Sequence, residues 1–196
     1  MIRFALIALL ATPAYGAGTP DPDWPCIQRR QPQLSVGQVW SGPVPDQATQ
    51  DLAAGDDIQA VARVIALRRT PIKQAEEMVA EFAAGHDPQA QTALFLAVFD
   101  HIQTQRSRVM SGITRYAHKQ EALDATIKQL RHDYTALTAA QTQDFDAIDK
   151  LEADIDWSTR IFMDRQQSLT YVCETPVILE QRAFAIGRAI AGHLPK

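Results

Sequence analysis

The sequence predicts an all-α protein. A small helical bundle carries a long antiparallel coiled-coil hairpin, and an extended Pro- and Trp-rich strap precedes both. Three observations carry that reading. Ile102, Val109, Tyr116, Leu123, Leu130 and Leu137 recur every seven residues, with Ile113, Ile127 and Tyr134 between them, the a/d pattern of a coiled coil. After a turn at 138–143, Ile148, Ile155, Phe162 and Leu169 repeat at seven, with Leu151 and Val172 between. Neither narrow stripe can stay in water, and the short turn makes each the nearest cover for the other. Finally, Leu94, Phe95, Leu96, Val98 and Phe99 make the start of the first arm apolar nearly all round, so other helices must surround it.

At 196 residues, one domain with its own core is expected, and 46% hydrophobic against 21% charged residues is ordinary for a globular chain. The net charge is −4 and no basic stripe is concentrated anywhere, so nucleic acid is not an expected partner. Residues 1–16 read as a signal peptide. Arg3 supplies the positive start, Phe4 to Leu10 an unbroken apolar run, and Pro13 with Ala14-Tyr15-Gly16 the helix break and small-residue cleavage site. That run is too short to span a membrane and no later segment approaches one. Export to the periplasm, or secretion, is expected, with no membrane insertion after cleavage. In an oxidising compartment the two cysteines, Cys26 and Cys173, are expected to form one disulfide. Two buried thiols, or a bond to another protein, are the alternatives.

Residues 17–45 contain Trp24, Pro25, Pro32, Gly37, Trp40, Pro43 and Pro45. Prolines at that density favour extended backbone, while the tryptophans and Cys26 argue for a strap laid over the helices. A short helix is expected over 46–54, ending at Gly55. Asp56 or Asp57 then caps a helix to about Arg69, with Ile58, Val61, Ala62 and Ile65 inward. Thr70-Pro71 restarts the chain as N-cap and first helical residue, and Ile72, Ala75, Met78 or Val79, and Phe82 line a helix to Gly85. Asp87-Pro88 repeats the device and opens the long arm. Thr142 is the expected N-cap of the return arm, with Asp144 and Asp146 at the positive end of its dipole.

Folding about residue 141 sets Ile155 against Ile127, Leu169 against Ile113, and Phe184 near Val98. Pro176 should kink the return arm near the level of Gly112 and beside Cys173. Past it, Leu179, Ala183, Phe184, Ile186 and Ile190 make a base helix. The base is then residues 46–110 and 171–196. The hairpin is residues 111–170, with its tip at 138–143, and projects about 40 Å at 1.5 Å per residue.

Catalytic motifs are missing: no glycine-rich phosphate loop, no Gly-x-Ser-x-Gly, no Ser-x-x-Lys at a helix start, no His-Glu-x-x-His. His118 and His132 both face outward about 21 Å apart along the helix, too far to share an ion. No catalytic residue, metal or cofactor is expected. Arg106, Gln120 and Arg165 interrupt the seam at core-type positions. Their stems let them reach its edge, and register-fixing burial is the alternative.

The acidic run Asp144, Asp146, Asp149, Glu152, Asp154 and Asp156 lacks the glycine and the spacing of a calcium loop. It reads first as a solvated flank. Asp144, Asp146, Asp149 and Glu152 are also the preferred contact surface for a basic partner docking at the tip. Trp24 and Trp40 read first as the strap's local core, and second as partner contacts. A projecting hairpin buries little for its length, so its surface should be used. The expected function is an exported, non-enzymatic interaction protein presenting the hairpin to another periplasmic or envelope protein. A periplasmic holdase, and a ligand binder with a pocket among Phe82, Phe95, Phe99 and Phe184, are the alternatives.

Overall fold

The computed structural model describes residue 21 and residues 23–195; the predicted signal peptide at 1–16 lies outside them. Among the described residues there is no strand, and six helices pack together. They are α1 (Val36–Val39), α2 (Gln47–Ala53), α3 (Asp56–Ala66), α4 (Ile72–Gly85), α5 (Pro88–Thr138) and α6 (Phe145–Ala191).

Aspartates set three of the starts. Asp46, Asp87 and Asp144 each accept from a backbone N–H in the turn that follows, those of Thr49, Ala90 and Ala147. A carboxylate there satisfies an orphan donor and sits at the positive end of the dipole. Asp144 therefore displaces Thr142 as the cap of α6. Asp56 and Asp57 lie inside the first turn of α3, behind Gly55, and α3 stops at Ala66, short of Arg69. The reason is Thr70, whose hydroxyl turns back to donate to the Val64 carbonyl at 2.8 Å. Pro71, not Thr70, then holds the cap position of α4, and Ile72 is exposed. Nor is the strap wholly extended. The Ser35 N–H donates to Gln38 Oε1 at 2.8 Å, half of a capping box that starts the one-turn α1 between the prolines.

The core joins Ala62 and Ile65 of α3, Ala75 and Val79 of α4, Leu94, Phe95 and Val98 of α5, and Ala183, Ile186 and Ile190 of α6. Each large aliphatic or aromatic side chain among them contributes about 1.5–3 kcal/mol by leaving water. Gly187 belongs to the same surface, since a Cβ there would run into the Val39 carbonyl oxygen of α1. Phe184 departs from expectation. It faces outward, with the Arg188 guanidinium 4.7 Å above its ring.

Two arginines are buried in the base. Arg106 does not reach the edge of the seam; it is almost inaccessible. Its Nε and Nη2 donate to Glu180 Oε1 at 2.9 and 2.5 Å, and its Nη1 donates to the Pro32 carbonyl at 3.2 Å. One side chain thus joins α5, α6 and the strap. Arg182 donates from Nε and Nη2 to the Ile65 carbonyl and from Nη1 to that of Thr70. These carbonyls sit where α3 ends and need donors from outside the helix. Desolvation holds the Arg182 guanidinium below its usual pKa.

Farther along, the Tyr116 hydroxyl donates to the Arg165 carbonyl and Gln120 Nε2 to the Phe162 carbonyl. Partners on α6 descend in number as those on α5 climb. Ile113, Ile127 and Ile148 are buried, and Leu123, Leu130, Ile155, Phe162 and Leu169 are half-buried. Met110 and Ala117 lie deeper than Val109 and Tyr116, and Val172 is exposed rather than in the seam. The helix continues through Pro176, whose missing N–H leaves the Val172 carbonyl without its usual donor.

Candidate functional site

Besides the Arg106–Pro32 bond, the strap is held to the helices at four further points. Cys26 and Cys173 are bonded, with their Cα atoms 5.6 Å apart. Asp23 meets His118 on α5 through Oδ1 and Nε2 at 2.5 Å. The Leu34 N–H donates to Gln103 Oε1 at 3.2 Å. Trp40 stacks on Phe95 with ring centroids 4.1 Å apart. Trp40 is thus part of the core's edge, and its Nε1 donates to the Pro43 carbonyl. Trp24 is half-buried beside the disulfide and donates to the Gln28 carbonyl at 2.6 Å.

The acidic candidates group separately, on the first two turns of α6. Asp144 is occupied as the cap, while Asp146, Asp149 and Glu152 are exposed. The structure therefore does not bring the tryptophans and the acids into one site. The four phenylalanines do not form a pocket either. Phe95 and Phe99 pack at 6.0 Å between centroids, Phe82 stacks on the His86 ring at 3.8 Å, and Phe184 is turned outward.

Sequence reasoning missed the apolar side chains on the open faces of α6. Phe145 is 68% exposed, Trp157 63%, Met163 63% and Tyr171 72%. Trp157 and Tyr171 share one face, opposite the Ile148–Ile155–Phe162 row, about 21 Å apart along the axis. The signal was available: all four are large apolar residues that fit neither row of the seam. Around them Asp146, Asp149, Glu152, Asp156 and Asp164 are exposed and outnumber the exposed Lys150, Arg160 and Arg165.

Among the described residues, no three His, Cys, Asp or Glu side chains gather where they could hold a metal ion. His101 is used internally, bonded to Gln59 Oε1 at 2.9 Å. Among the same residues no helix is long and apolar enough to cross a membrane. Compared with known proteins, the chain matches no family model, no curated protein and no solved structure.

Proposed function

We propose that the chain is an exported, non-enzymatic interaction protein. Residues 111–170 act as an antiparallel coiled-coil arm standing out from the base, and present an outer face to a second envelope protein in the periplasm. One observation carries this reading: Phe145, Trp157, Met163 and Tyr171 are all more than half exposed on one stretch of one helix. Large apolar side chains left this exposed along one helix offer anchors for a contact site. Trp and Tyr are also the residues that most often dominate binding energy. The acids around them call for a partner that offers apolar recesses rimmed by Lys or Arg. The Cys26–Cys173 bridge supports an oxidising compartment.

A photo-crosslinking benzophenone side chain placed at 157 or 171 in the exported chain tests it. The reading expects one discrete adduct from each position, competed away by unlabelled protein, and none from position 60 on α3. It fails if no discrete adduct forms, or if Trp157→Ser/Tyr171→Ser leaves adducts from position 163 unchanged.

The same exposed side chains also suit a holdase gripping unfolded clients. The acidic surface argues against that reading, because it would repel acidic clients as readily as it attracts basic ones. Suppression of aggregation of a reduced model client, lost in the same double variant, would favour it.

A further inference from the structure

A cleft lies where residues 36–45 pass over α2 and α5. It encloses about 580 Å3, within the range of small-molecule sites. Its walls are Val36, Trp40, Val44 and Pro45 from the strap, Ala53 from α2 and Leu96 from α5. The Trp40 indole is rigidly set. It stacks on Phe95 at an interplanar angle of 14°, and its Nε1 is bonded to the Pro43 carbonyl at 2.7 Å. Gly42 lies so close to the ring that a Cβ would collide with it. The aromatic wall is therefore in place before anything binds.

Two polar side chains line the cleft, Gln50 and Asp100, and no Lys, Arg or His does. Among the described residues no hydrogen bond or ion pair reaches the Asp100 carboxylate. Asp100 is an exposed residue at the cleft's edge, and partial desolvation nonetheless raises its carboxyl pKa, with His101 pulling the other way. The carboxylate is thus solvated and has no protein partner among the described residues. A cation in the cleft would supply that partner.

We propose that this cleft binds a small apolar molecule carrying one ammonium group, its body against Trp40, Val44 and Leu96 and its charge on Asp100. The ammonium donates charge-assisted hydrogen bonds to the carboxylate. An anion of the same shape is repelled, and a neutral isostere forfeits the ion pair.

Phenethylamine, 2-phenylethanol and phenylacetate share one body and differ in charge. Each is titrated into the folded chain while the Trp40 indole N–H resonance is followed, with Trp24 and Trp157 as internal controls. The amine is expected to bind about tenfold more tightly than the alcohol, and phenylacetate to leave the resonance unmoved. Asp100→Asn should bring the amine down to the alcohol's affinity without changing the alcohol's. It should also melt no lower than the parent at neutral pH, because a raised carboxyl pKa means that ionisation burdens the folded state. Equal binding of amine and alcohol, or amine binding that survives Asp100→Asn, would overturn the proposal. So would an unmoved Trp40 resonance at about 10 mM amine, where even millimolar affinity is visible.

Discussion

Removing Glu180 should destabilise the protein more than removing Arg106, although the two form one ion pair. The asymmetry comes from water. The Arg106 side chain is 2% exposed and that of Glu180 30%. Glu180→Met strands a guanidinium that keeps one partner, the Pro32 carbonyl at 3.2 Å. Breaking a buried pair this way costs about 3–5 kcal/mol, and the partial exposure of Glu180 places this case near 3 kcal/mol. Arg106→Met keeps most of the stem's packing and leaves a carboxylate that water can reach, so the loss is about 1–2 kcal/mol. The double variant Arg106→Met/Glu180→Met should come within about 1 kcal/mol of the parent, because both charges are gone together. For a chain of this size 3 kcal/mol is roughly 6–12 °C in Tm. Urea denaturation of the parent, both single variants and the double gives all four corners of the cycle. Equal costs for the two single changes, or additivity in the double, would refute the claim that this guanidinium depends on Glu180.

Three more outcomes follow from the same contacts. Cys26→Ser releases a bridge with a sequence separation of 147; by loop-closure entropy the loss is at most about 5 kcal/mol, and an unchanged Tm would mean that the bridge is idle. Gly187→Ala should cost about 1–3 kcal/mol by pressing a methyl group against the Val39 carbonyl; stability equal to the parent would show that the strap lifts freely. The hydroxyl and backbone N–H of Thr49 hold the Asp46 carboxyl below its ordinary pKa. Its contribution is therefore present above the unfolded pKa and lost as pH falls through the folded one. Asp46→Ala should flatten the acid limb of a stability–pH curve, and an unaltered limb would contradict the cap's role.

The boundaries marked by a local device were legible in the sequence. Asp46, Asp87 and Gly85 act through atoms within a few residues, so their spacing alone predicts the helix ends. At the start of α6 the sequence points to Thr142 as the cap, and only the bond from Ala147 chooses Asp144. Arg106 and Arg182 were not legible because their meaning lies far away. Glu180 is 74 residues from Arg106, and Ile65 is 117 from Arg182. Periodicity counts an arginine at a core position as an interruption, whatever waits opposite. Phe184 was misplaced for a related reason. Beyond Pro176 the buried row runs through Leu179, Ala183, Ile186 and Ile190, and α1 is admitted at Gly187, which leaves no inward place for residue 184. The exposed aromatics Trp157 and Tyr171 could have been found by asking which large apolar residues the heptads do not use.

Small-angle scattering from the purified chain tests the central claim most directly. At 1.5 Å per residue the 51 residues of α5 span about 76 Å. Two such helices paired along their length and standing out from the base require a longest dimension of at least about 75 Å and a radius of gyration above about 20 Å. A chain of this length folded into a ball would instead give about 16 Å. The first result upholds an arm that reaches away from the base. The second would mean that α5 and α6 are broken and folded back, and the docking surface on α6 would go with them.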